Sequence, residues 1–225
     1  MDSVEGQKRR AGERAALLVE SGMRVGFGTG STTRFFTEKV GELLGRGSLT
    51  GVFAVPTSRA TAELVLDLGI PVVDLEGPLD LAVDGADEVA PDLSLIKGGG
   101  GALLREKIVA AAADQFVVIA HEGKDVSALG TTFKLPVEIA RFGANVTLTR
   151  LTEFGEAMLR GEQRPYVTDN GNYIVDIDTG PIGAPAELDV ALSVLPGVVA
   201  TGLFVGMADS VIFGHDDGTS ERHRR

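Results

Sequence analysis

The sequence predicts an α/β fold in two parts: a Rossmann-like parallel-sheet domain carrying an inserted, smaller ferredoxin-like α/β lid domain. Short apolar runs alternate with helix-period stretches through the first 120 residues, which is the pattern of a parallel sheet with helical crossovers. After residue 129 the order becomes β-α-β-β-α-β, the split βαβ arrangement. A last apolar run, 210–214, is placed to return to the first sheet, so the second domain reads as an insertion. The expected division is 1–130 plus 206–225 for the Rossmann-like domain and 131–205 for the lid.

The elements follow in order. Residues 5–21 have helical spacing, with Ala11, Ala15, Leu18 and Val19 on one face. A strand over 23–27 runs into Gly28-Thr29-Gly30-Ser31-Thr32-Thr33, and a helix follows through Phe36, Val40 and Leu44. Further strands are expected at 51–55, 71–75, 79–83, 93–96 and 116–120, with helices at 60–68 and 102–113. In the last of these, Leu104, Ile108 and Ala111 form the expected buried stripe. In the lid, 136–140 reads as a strand and 146–160 as a helix. A hairpin of 164–168 with 173–178 is expected, then a helix at 186–195 and a strand at 198–204. The tail from Thr219 is polar and reads as frayed.

Composition narrows the function. Of 225 residues, 44% are hydrophobic, enough for a sizeable core. No apolar run reaches the roughly 20 residues of a membrane span, and the charged start lacks the apolar stretch of a signal peptide, so a cytoplasmic location is expected. Cysteine is absent, which excludes disulfides and thiolate catalysis. With 21 Lys and Arg against 32 Asp and Glu, the net charge of −11 disfavours nucleic acid. An anionic ligand would need local anion-binding structure.

Three segments carry chemistry. In the turn from Gly28 to Thr33, glycines permit close backbone approach, and a helix N-terminus with Ser31, Thr32 and Thr33 offers N–H and hydroxyl donors for phosphate. Ser31 stands where a dinucleotide fingerprint has its third glycine, and the P-loop lysine is missing. An ordinary capped strand-to-helix turn is the competing reading. Asp84-Gly85-Ala86-Asp87-Glu88 ends an apolar strand, where open α/β sheets bind ligands. Acids this close raise one another's pKa, which suits proton transfer or a grip on sugar hydroxyls; an acidic helix-capping turn fits as well. Metal binding is a further option there, although no histidine is near in sequence. Lys97-Gly98-Gly99-Gly100-Gly101 implies backbone that a ligand approaches closely, with consecutive N–H groups and a fixed positive charge. Glu106 follows in the first helical turn, where the dipole favours its anionic form; taken without its neighbours it reads more readily as a helix-start acid or a partner for Arg105 or Lys107. Lys124, after the strand at 116–120, is placed to reach the same rim. His215 and His223 read as surface residues, and Asp169 and Asn170 as turn chemistry.

The ordered set closely resembles the A-type ribose-5-phosphate isomerases. It comprises Gly28 to Thr32, Asp84 to Glu88, and Lys97 to Gly100 with Arg105-Glu106-Lys107. The likeness continues in Leu135-Pro136-Val137-Glu138, Thr168-Asp169-Asn170-Gly171-Asn172, Pro196 to Val199 and Gly202 to Phe204, and so covers nearly the whole chain. The resemblance implies a homodimer or homotetramer that uses no cofactor and no metal. The implied reaction is ribose 5-phosphate to ribulose 5-phosphate through an enediolate, in the non-oxidative pentose phosphate pathway. It implies Glu106 as catalytic base, with Asp84, Asp87 and Lys97 as further catalytic groups. Thr29, Gly30, Ser31, Thr32, Asp84, Gly85, Ala86, Asp87, Lys97, Gly98, Gly99, Gly100 and Lys124 are implied to contact the pentose phosphate. Lys8 matches an N-terminal lysine near the phosphate. Gly101 stands where many members have alanine, and the tail after Gly218 is unlike the family. Two rival readings are a non-catalytic sugar-phosphate sensor and a nucleotide-dependent oxidoreductase. The first is disfavoured by the lack of a helix-turn-helix pattern, the second by the imperfect glycine pattern.

Overall fold

A computed structural model describes residues 4–224; residues 1–3 and 225, which the sequence reading gives to the Rossmann-like domain, lie outside it. The chain divides into two compact units. The first comprises Met1–Ala86, Arg105–Lys124 and Met207–Arg225, the second Asp87–Leu104 and Asp125–Gly206. The second unit thus takes in 87–104, a segment the sequence reading assigns to the Rossmann-like domain.

In the first unit, α1 (Val4–Ala16) precedes β1 (Arg24–Phe27), α2 (Ser31–Gly45), β2 (Phe53–Pro56), α3 (Arg59–Asp67) and β3 (Leu81–Gly85). After the chain passes through β4 (Glu88–Val89) and β5 (Leu95–Ile96) of the second unit, α4 (Leu103–Ala112) leads to β6 (Phe116–His121). The strand β12 (Ser210–Gly214) does return to this sheet, pairing in parallel with β6. The parallel strands lie in the order β2-β1-β3-β6-β12, and β13 (Thr219–His223) adds an antiparallel edge. This is a doubly wound order whose direction reverses between β1 and β3, the switch point where such sheets place their ligands. The strands are buried on both faces, with Val25, Val83 and Ile119 on one and Ala82, Val118 and Ala120 on the other. Gly12 lets α1 close on α2: a Cβ there would lie 2.7 Å from the Phe36 backbone nitrogen.

In the second unit, β7 (Leu135–Ile139), α5 (Ala144–Leu151), β8 (Glu156–Leu159), β9 (Tyr173–Asp178), α6 (Pro185–Ser193) and β10 (Val198–Thr201) follow one another. Their antiparallel sheet has the order β10-β7-β9-β8, the ferredoxin-like arrangement. A small antiparallel sheet, β11 (Leu203–Phe204), β5 and β4, completes the unit. Its core is formed by Leu135, Val137, Ile139, Leu151, Val175, Ile177 and Leu192.

Several expectations are corrected. The helix predicted over 146–160 ends at Leu151, and after Gly155, at φ 149°, the chain turns into β8. It is β8, not 164–168, that pairs with β9, since Pro165 removes a ladder donor from that run. The strand expected at 71–75 shrinks to a single bridge between Ala54 and Val72. The run 198–204 is split at Gly202, whose carbonyl accepts the Lys97 N–H at 2.9 Å and whose N–H donates to Pro136 O at 2.7 Å. The tail is not frayed at Thr219: β13 pairs with β12 over five residues, and Arg224 reaches Asp209 at 2.6 Å. The buried face of α4 is out of phase with the predicted stripe. Leu103, Glu106, Val109 and Ala110 are buried, whereas Ile108 is 49% exposed. No helix among the described residues is long and apolar enough to cross a membrane.

Candidate active site

The first unit gathers its candidate residues at the switch point. Gly28 follows β1 directly, and its N–H donates to Val83 O at 2.9 Å. Asp84, at the end of β3, is 3% exposed; its Oδ1 accepts the Thr29 N–H at 3.1 Å and the Gly85 N–H at 2.7 Å. A Cβ at position 28 would lie 2.2 Å from that oxygen, so only glycine lets the two strand ends meet. The Thr29 hydroxyl is held in a cluster with Thr57 (2.7 Å), Ser58 (2.9 Å) and Thr61 (3.2 Å). Ser58 also caps α3 by accepting the Thr61 N–H at 3.1 Å. The 57–58 segment therefore both caps a helix and buttresses the turn.

Gly30, at φ 134°, is the N-cap of α2 and opens the helix at Ser31. Exposed Ser31 accepts the Lys8 ammonium at 2.9 Å, while Thr32 is half-buried beside it. Lys124 ends the turn after β6, and His121 ends β6 itself. Burial lowers the His121 pKa from 6.5, and the nearby charges of Lys124 and Lys8 lower it further, only partly offset by Glu122. Two ammonium groups, a serine hydroxyl and a helix N-terminus thus converge on one edge of this unit, a suitable cradle for a phosphate dianion in an acidic protein. His121 stands beside this cradle, within reach of the charges of both lysines.

Glu106 lies on the buried face of α4 at 4% exposure, in the first turn. A buried acid in the first turn of a helix, beside the dipole's positive end, is unlike a solvated surface carboxylate.

The second unit holds the glycine loop. Lys97 is 2% exposed, and its Nζ stands 5.5 Å over the Phe204 ring. Gly98, at φ 107°, has no room for a side chain beside Leu103. Gly99 and Gly100 are exposed. Gly101, at φ 80°, is crowded by Tyr166, whose hydroxyl would lie 2.5 Å from a Cβ. Asp87 accepts the Gly99 N–H at 2.8 Å. One donor that the sequence offered to a ligand is therefore occupied by an acid that the resemblance placed at catalysis. Gly85 and Ala86 link the two acids in sequence and are half-buried.

Glu88 does something else. Fully buried, it accepts from Gly130 N (2.5 Å), Thr132 N (2.5 Å), Thr132 Oγ1 (2.7 Å) and Phe133 N (2.9 Å), fastening the start of the second sheet. Glu138 similarly gathers Thr168, Asn170 and Asn172 at 3.0, 3.2 and 2.9 Å. These carboxylates order loops. Among the described residues no cluster of three or more His, Cys, Asp or Glu is arranged to hold a metal.

Residues 53–218 match the family model described as ribose 5-phosphate isomerase A (phosphoriboisomerase A). This chain belongs to the ribose 5-phosphate isomerase A family. The ribose-5-phosphate isomerase A of Roseiflexus castenholzii is 49% identical over 219 residues, covering 95% of this chain and 94% of the relative. A D-ribose-5-phosphate isomerase solved in complex with phospho-erythronic acid superposes with a TM-score of 0.96 at 38% identity, covering 99% of this chain and all of that one. The ribose 5-phosphate isomerase A of Methanocaldococcus jannaschii does so at 0.93 and 40%, covering 98% and 100%. Family membership accounts for both the doubly wound sheet and the ferredoxin-like unit of this isomerase.

Proposed function

We propose that this chain interconverts ribose 5-phosphate and ribulose 5-phosphate through an enediolate, with Glu106 moving the proton. As a member of the family it is an aldose–ketose isomerase acting on ribose 5-phosphate, in the pentose phosphate pathway. The assignment of roles is our own. Its main support is the burial of Glu106, a carboxylate kept from water in the first turn of a helix.

With the sugar ring open, Glu106 takes the C2 proton and the electron pair delocalises onto the C1 oxygen. That oxygen gains a proton while the C2 hydroxyl loses its own. Glu106 then returns its proton to C1, leaving the C2 carbonyl. Acid–base catalysis of this kind contributes about 10²–10⁴-fold. Lys97 and the glycine loop stabilise the oxygen on which charge develops. Asp84 assists ring opening, and Asp87 supports the glycine loop and the sugar hydroxyls. Ser31, Thr32, Lys124 and Lys8 receive the phosphate. Thr29, Gly30, Gly85, Ala86, Gly98, Gly99 and Gly100 complete the surface that meets the substrate. This chemistry calls on no metal or cofactor. The enzyme is taken to work in the cytoplasm as a homodimer or homotetramer, which sedimentation velocity would distinguish.

Turnover in D2O tests the proton-transfer route. Deuterium entering C1 of ribulose 5-phosphate supports it; product free of solvent deuterium under every condition would point to hydride transfer instead.

A further inference from the structure

The glycine loop is gripped at both ends of a single peptide unit. Arg160, just past β8, donates from Nη1 to Gly98 O at 2.9 Å and to Gly99 O at 3.1 Å. Its Nε and Nη2 donate to the two carboxylate oxygens of Asp176, at 2.8 and 2.5 Å. Asp176 sits on β9, opposite Met158 of β8, so the carboxylate is built into the sheet. The Arg160 N–H is itself in register, donating to Ile174 O at 2.8 Å. The pair is mostly buried, with side-chain exposures of 18% and 23%. A bidentate carboxylate fixes the plane of the guanidinium, and the remaining N–H groups then have one direction to point.

On the other side of the loop, the Gly99 N–H donates to Asp87 at 2.8 Å. The Gly98–Gly99 peptide therefore has its carbonyl held by Arg160 and its N–H held by Asp87. A turn from Gly101 N to Gly98 O, at 3.0 Å, closes the loop. The Gly99–Gly100 peptide has its carbonyl on Arg160, and among the described residues no acceptor meets the Gly100 N–H. Four successive glycines have little intrinsic preference for one peptide orientation over its flip, so the orientation must come from outside the loop.

We propose that Arg160, clamped by Asp176, is a positioning residue for the isomerisation. It turns the carbonyls of Gly98 and Gly99 away from the substrate and leaves the Gly100 N–H as the loop donor for the enediolate oxygen. The inference rests on the reading of this loop as the enediolate-binding element. Within the glycine loop Arg160 touches backbone carbonyls only, so its loss acts on the transition state through geometry rather than on phosphate affinity. Small misplacements of this kind cost up to about 100-fold in rate.

The test compares wild type with Arg160→Met, Arg160→Ala, Asp176→Asn and Glu106→Gln, each checked for folding by circular dichroism. For Arg160→Met, kcat is expected to fall about 10- to 100-fold with KM changed less than about 3-fold. Affinity for a phosphorylated four-carbon aldonate, an enediolate mimic, should fall by a similar factor, while affinity for inorganic phosphate stays at the wild-type value. Asp176→Asn keeps the shape of the clamp and should give a smaller loss of the same kind. Millimolar guanidinium should restore part of the kcat of Arg160→Ala, a response that a purely structural role would not give. A folded Arg160→Met with wild-type kcat, or a loss confined to KM and phosphate affinity, overturns the proposal. If Glu106→Gln abolishes turnover and Arg160→Met does not, only this inference falls. If wild type does not isomerise, or Glu106→Gln remains active, the underlying reading falls with it.

Discussion

The Asp84 carboxylate accepts the Thr29 backbone N–H at 3.1 Å, tying the end of β3 to the turn after β1 where the strand order reverses. The bond depends on Gly28, since a Cβ there would meet Asp84 Oδ1 at 2.2 Å and Asp84 Cα at 2.6 Å. Gly28→Ala should therefore destabilise the fold by about 1–3 kcal/mol, the usual cost of overpacking. It should also lower kcat/KM, because the displaced groups include the turn and the acid themselves. Urea unfolding and initial rates check this, and wild-type values in both would contradict it.

Glu88 lies in the same acidic run, yet its four acceptor contacts all go to residues 130–133. Glu88→Gln replaces one acceptor oxygen of a buried side chain with a donor, which then faces the N–H groups of residues 130–133. The expected loss is about 1–3 kcal/mol in unfolding free energy, with KM unchanged in whatever fraction stays folded. A large KM change without loss of stability would instead give Glu88 a role at the substrate.

His121 makes stability depend on pH. Its folded pKa lies below 6.5, through burial first and then through Lys124 and Lys8. As pH falls through 6.5 the unfolded chain takes up the proton before the folded one does, so protonation favours unfolding. This contribution to stability is intact above 6.5 and is lost progressively down to the lowered folded pKa. Lys124→Met should move the His121 titration back toward 6.5 without reaching it, because burial remains. An NMR titration of the His121 ring measures this, and an unchanged or lower midpoint would contradict the electrostatic account.

The tail gives a fourth prediction. Truncation before Thr219 removes the five-residue pairing of β13 and exposes the edge of apolar β12. It also removes the contacts of Arg224 with Asp209 and Glu221 with Arg14. Lower thermal stability and concentration-dependent aggregation are expected, both readable by light scattering during heating. A truncated protein that melts as wild type would mean that β13 contributes nothing.

Much of this was legible because the signals were local. Apolar runs ending in glycine or acid marked β1, β3 and the glycine loop, and the ligand rule for open sheets placed Gly28 and Asp84 before any coordinates did. What escaped depended on partners distant in sequence. Arg160 read as the last residue of a helix, and nothing near it in the chain announces Gly98 and Gly99, some 60 residues earlier. Glu88 and Asp87 are neighbours of the same type, but one faces the backbone of 130–133 and the other the Gly99 N–H. The face of α4 was misread because an apolar stripe of Leu104, Ile108 and Ala111 cannot include a carboxylate, whereas the buried face carries Glu106 together with Leu103, Val109 and Ala110.

The most direct measurement is conversion of ribose 5-phosphate to ribulose 5-phosphate by purified, EDTA-treated protein, with Glu106→Gln alongside. Full turnover in the wild type and a loss of about 10²–10⁴-fold in the folded variant are predicted. A folded Glu106→Gln protein that still isomerises at near wild-type rate would contradict the assignment of Glu106 as the base.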